Sequence, residues 1–142
     1  MKPYLSFEEV IEAGRPPLVE MQRMANALAD SSSQEARAAF ARQVLFVEAA
    51  VRQTYGQAAG LARKAETFDD AAEVWRRMGA FCNSALQVLS AIKDRHPACE
   101  TAELHDLVLD YRNACETRQR RTFEDKTCLA MEFPKGLFPE PS

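Results

Sequence analysis

Between Phe68 and Ile92, apolar and small side chains recur at alternating steps of three and four: Phe68, Ala71, Trp75, Met78, Cys82, Ala85, Leu89 and Ile92. Residues so spaced share one face of an α-helix, whereas a strand would need alternation at every second position. Val74, Phe81 and Val88 run beside this seam, seven apart, and broaden it. A stripe that wide suits the inside of a globular bundle better than the narrow seam of a two-stranded coil. No stretch of the chain shows period-two alternation bounded by hairpin turns, so the fold class is expected to be all-α.

Capping and stop signals divide the rest. Ser6 and Glu9 form a capping box that opens a short first helix carrying Phe7, Val10 and Ile11. Gly14 and then Pro16-Pro17 are expected to end it, because proline lacks the N–H that helix continuation needs. A second helix is predicted from Pro17 to about Asp30, with Leu18, Met21, Met24, Ala25 and Leu28 on one side. A third begins at Ser32 or Ser33, with Ser32 and Glu35 as a second capping box, and runs toward Ala65 through Phe40, Val44, Val47 and Val51. Its segment from Val44 to Val51 is apolar almost all round, which predicts a place in the middle of the bundle. Gly56 and Gly60 within it predict either a close helix crossing or a bend. Thr67 caps the fourth helix, Asp69 and Asp70 suit its positive end, and Lys93, Arg95 and His96 suit its negative end before Pro97. A fifth helix is predicted from Cys99 to Phe123, facing inward through Leu104, Leu107, Val108, Tyr111, Ala114 and Cys115.

The link from Ala65 to Thr67 is so short that the third and fourth helices must fold back on each other. The expected architecture is therefore a bundle of about five helices built around a central antiparallel helical hairpin. Residues 1–125 would form that single domain. Residues 126–142, with Phe133, Leu137, Phe138 and three prolines, would form an extended tail.

Composition limits the functions such a bundle could carry. The 142 residues are enough for one substantial core. No apolar run approaches the ~20 residues of a membrane span. The N-terminus turns acidic at Glu8-Glu9 before a signal-peptide core could form, so a cytoplasmic location is expected. The net charge of −3 argues against general binding to nucleic acid or anionic membrane. Cys82, Cys99, Cys115 and Cys128 form no closely spaced pair and are expected to be free thiols.

Spacings that would set up chemistry are sparse. His96 and Cys99 have zinc-ligand spacing, but His105 falls on another side of a helix and no second pair completes a site. Cys99 near a helix start could have its thiol pKa lowered by the dipole. There is no Gly-x-Ser-x-Gly elbow, no Walker loop and no Gly-x-Gly-x-x-Gly, so neither metal nor cofactor is expected. Arg112, Arg118, Arg120 and Arg121 are candidate anion or nucleic-acid contacts. Arg112-Asn113 resembles part of the motif of HEPN-type ribonucleases. That motif needs a histidine a few residues on, where this chain has Thr117, Arg118 and Gln119, so the identity is rejected.

The reading ranked first is a non-catalytic protein–protein interaction module: an adaptor, a small chaperone or a subunit of a helical assembly. A homodimer is its simplest form. Phe46, Phe133, Leu137 and Phe138 are the candidate contact residues. Behind it stand a nucleic-acid-associated regulator using the arginines of the last helix, and an enzyme or small-ligand binder with a site between helices around His105.

Overall fold

The computed structural model describes residues 7–30 and 33–132, and among these every regular element is an α-helix. There are four: α1 (Phe7–Asp30), α2 (Gln34–Lys64), α3 (Phe68–Arg95) and α4 (Ala102–Glu132). The all-α class stands, and the number is four rather than about five because the first two expected helices are one.

That merger has a local cause and a tertiary one. Pro16 and Pro17 withhold the N–H groups that would bond to the carbonyls of Glu12 and Ala13. Both of those residues are exposed, so water can satisfy the carbonyls. On the other side of α1, Val10, Ile11, Gly14, Leu18 and Met21 are all buried. Packing on both sides of the interruption holds a single axis, and Gln43 Nε2 donates to the Pro17 carbonyl at 3.0 Å.

Gly14 does not stop the helix. It lets α1 come close: a Cβ there would lie 3.0 Å from Phe81 Cζ on α3 and 3.0 Å from Thr54 Oγ1 on α2. Gly56 and Gly60, the pair expected to mark a crossing or a bend, have nothing within 4 Å of an added Cβ, and α2 runs unbroken through both.

The helix starts follow side-chain caps. Ser33 caps α2, its Oγ accepting the Ala36 N–H at 3.0 Å, and Ser32, of the box expected with Glu35, lies outside the described residues. Thr67 caps α3, with Oγ1 accepting the Asp70 N–H at 3.0 Å. The last helix starts later than Cys99. Cys99 lies in the connecting turn, where its N–H bonds the His96 carbonyl, and the Thr101 carbonyl accepts the His105 N–H. At its other end α4 continues through Lys126 to Glu132, beyond the point where helical periodicity was expected to fail.

Contacts at matched positions fix the direction of each helix. Tyr55 meets Trp75 across α2 and α3, and Lys126 pairs with Asp69 across α4 and α3, so both pairs of helices are antiparallel. Glu8 pairs with Arg77, and His96 Nε2 lies 3.0 Å from Asn26 Oδ1, so α1 runs parallel to α3. The chain therefore passes up, down, up, down. α3 packs most extensively on α4, and α1 on α2. α2 and α3 each touch the other three helices, while α1 and α4 share no contact among the described residues. The α2–α3 hairpin is thus the shared centre.

α3 supplies the densest part of the core. Trp75, Met78, Cys82, Ala85, Leu89 and Ile92 are buried as the periodicity predicts, and Phe81 joins them against Gly14. Phe68, at the head of the expected seam, is 36% exposed.

Candidate interaction surface

α2 shows where the helical pattern exceeds what the bundle needs. Its inward positions Phe40, Val47, Val51, Thr54 and Ala58 are buried. Thr54, the one polar member, donates its hydroxyl to the Ala50 carbonyl at 2.8 Å and is satisfied within the helix. Successive residues turn by about 100° around the axis. Ala38, Leu45, Ala49 and Gly56 therefore fall opposite Val47, Arg42 and Arg52 flank them on the same side, and Ala41 lies further round. All of these are exposed.

Leu45 is 64% exposed and Phe46, on the flank of the same face, is 59% exposed. This corrects the expectation that the segment from Val44 to Val51 lies in the middle of the bundle with neighbours on several sides. Only Val47 and Val51 are enclosed, because among the described residues no helix covers the back of α2. Arg42 and Arg52 flank this strip on either side, and Arg52 pairs with Glu48 at 3.1 Å along the helix. A strip of Ala38, Leu45, Ala49 and Gly56 between two arginines, with Phe46 at its edge, offers apolar burial rather than reactive groups. Of the predicted contact residues, Phe46 is thus placed in the open; Phe133, Leu137 and Phe138 lie outside the described residues.

A second apolar feature was not visible in the sequence. A half-open groove of about 460 Å³ runs between α1 and α3, lined by Ile11, Leu18, Val19, Phe81 and Val88, with Arg76 and Arg77 along its edge. Val19 stands 68% exposed at its lip. The groove exists because α1 is continuous, which the two prolines argued against. Its arginines are engaged locally: Arg76 with Glu73, and Arg77 with Glu8.

The predicted basic cluster does not form a stripe. Arg118 and Arg120, two apart, leave α4 on nearly opposite sides, while Arg121, three residues from Arg118, shares a side with it. Arg118 lies over the Trp75 ring, 5.4 Å from its centroid, next to the mutually tilted rings of Trp75, Tyr55 and Tyr111. Arg120 sits 3.6 Å from Glu124. Arg112 is half-buried, donates through Nη2 to Asn113 Oδ1 at 3.1 Å, and keeps its Nε buried with no partner.

The histidines and Cys99 are also dispersed. His96 serves as the C-cap of α3 and reaches Asn26, whereas His105 sits 3.7 Å from Asp106. Burial pushes the Cys99 thiol up, opposite to the lowering that a helix start would have produced, because the residue precedes α4 rather than opening it. Among the described residues no group of three or more His, Cys, Asp or Glu side chains could hold a metal ion. No described helix is long and apolar enough to cross a membrane. The chain matches no protein-family model, no curated protein and no solved structure.

Proposed function

We propose that this chain is a non-catalytic interaction module that pairs with a second copy of itself along the outer face of α2. The observation that carries the reading is the exposure of Leu45 and Phe46 at mid-helix, on a side shared with Ala38, Ala49 and Gly56 and flanked by Arg42 and Arg52. A solvent-facing helix surface is normally polar. Here the small residues would let a second helix axis approach closely, while Leu45 and Phe46 supply apolar area to bury.

A two-fold axis through this face is the simplest closed arrangement, since each copy would present the same residues to the other. Phe46 is the anchor in this arrangement, and Arg42 and Arg52 lie at the rim, where charges influence rate and salt dependence more than affinity.

The test is the mass of the reduced protein in solution, followed by sedimentation over a wide range of concentration. The mass is expected to rise from one chain toward two. Leu45→Glu and Phe46→Asp should each weaken association by at least about tenfold, since removal of an interface anchor typically costs on the order of 2 kcal/mol. Helical circular dichroism should be unchanged in both, because neither side chain is part of the core. A wild-type chain that stays single at every concentration would end this reading.

A further inference from the structure

Where α3 crosses α4, two thiols face each other inside the core. Cys82 is 0% exposed and Cys115 is 1% exposed, and neither is in a disulfide. Their side chains are within hydrogen-bonding reach of each other. Gly79, one turn before Cys82, faces the same residue: a Cβ on it would lie in ordinary van der Waals contact with Cys115 Cβ, at 3.6 Å.

A second observation marks the same place. The guanidinium of Arg112, one turn before Cys115 on α4, acts on Cys82, and its Nε is buried with no hydrogen-bond partner. A positive charge near a thiol favours its thiolate form, and Arg112 is the cation that acts on Cys82. The Cys115 S–H holds the Cys82 thiol below the ordinary thiol range, Arg112 adds to this, and burial opposes it. Cys115 is pushed up, first by its bond to Cys82 and then by burial. Of the two thiols Cys82 is therefore the one that ionises first, with the remaining proton held on Cys115.

We infer that Cys82 and Cys115 form an oxidation site, at which a hydroperoxide converts the buried dithiol into a disulfide joining α3 to α4. Cys82 ionises by giving its proton to solvent, its thiolate attacks the peroxide oxygen, an S–O bond forms, the O–O bond breaks, and the hydroxide that leaves takes up a proton from solvent to become water. The Cys115 sulfur then attacks Cys82 sulfur: the S–S bond forms, the S–O bond breaks, and the departing hydroxide takes the Cys115 proton. Two thiols lose two electrons and two protons, and hydrogen peroxide becomes two waters. A small thiol reverses the bridge by exchange. Both sulfurs are closed off from solvent, so a compact oxidant reaches them when the α3–α4 crossing opens locally.

The experiment is treatment of the full, folded chain with hydrogen peroxide, followed by alkylation, digestion and peptide mass mapping. The expected product is one cross-linked peptide joining Cys82 to Cys115, lighter by two hydrogens and lost on addition of dithiothreitol. Cys99→Ser should leave it in place, and Cys82→Ser or Cys115→Ser should abolish it. Arg112→Gln should slow its formation several-fold, and an unchanged rate would overturn the part assigned to the guanidinium. Peroxide that leaves both thiols alkylatable, carries either one only to sulfinic acid, or links one of them to Cys99 or Cys128 overturns the inference. Because self-association is measured on reduced protein, the two results stand independently.

Discussion

Three glycines carry opposite predictions for the same substitution. Gly14 is buried with Phe81 and Thr54 at the limit of contact, so a methyl group there forces the Phe81 ring or the α1 axis to shift. Gly14→Ala is expected to destabilise the fold by about 1–2 kcal/mol despite alanine's better helix propensity. Gly56→Ala and Gly60→Ala meet no neighbour within 4 Å and should stabilise it by up to about 1 kcal/mol each. Urea unfolding of the three variants measures both signs. The sequence shows all of these glycines as helix-weakening residues and offers no means of telling the one that touches two helices from the two that touch none. Thr67 is a simpler case. Its hydroxyl accepts the Asp70 N–H, and Thr67→Ala should cost about 1 kcal/mol in the same assay.

Among the elements, α1 is the one whose local signals and final form disagree. Pro16 interrupts its hydrogen bonding yet is exposed and outside the core, so tertiary packing carries the continuity. Pro16→Ala restores an N–H to the Glu12 carbonyl and should raise stability by about 1–3 kcal/mol, read from the same unfolding curves. The gain stays at the lower end if the greater freedom of the unfolded chain offsets part of it. A loss of stability would mean that the backbone constraint of proline is needed to seat α1 on α2 and α3. α3 behaves in the contrary way. Its cap, its acidic first turn, its apolar period and its basic last turn all agree, and its bounds were legible within a residue. α2 lies between the two. Its extent was legible, but its apolar surplus was read as enclosure, and Leu45, Phe46 and Ala49 instead face outward.

At the scale of the whole molecule, ion pairs between helices give the bundle a weak dependence on acid. Glu8 on α1 pairs with Arg77 on α3, and the Arg77 side chain holds its carboxyl below the usual range. A carboxyl depressed in the folded state stabilises above its unfolded pKa, about 4, and loses that contribution as pH falls through the lower folded value. The pairs of Glu20 with Arg23 and Glu73 with Arg76 act in the same direction, all at exposed positions where solvent screens them. Stability is therefore expected to be flat from neutral pH down to about pH 5 and to decline below about pH 4. Glu8→Gln should make that decline shallower, as followed by thermal melts across the range. A steeper decline in the variant would refute the sign. The sequence by itself determined that this chain is helical, where α2 and α3 lie, and which side of α3 is buried, because capping bonds and the helical period act between residues a few positions apart. Only the tertiary structure decided that α1 is one helix, that Gly14 sits against Phe81 and Thr54, that Arg118 lies over Trp75, and that Cys82 meets Cys115. Each of those outcomes depends on which distant surfaces come into contact, and one chain read in order carries no distance between them.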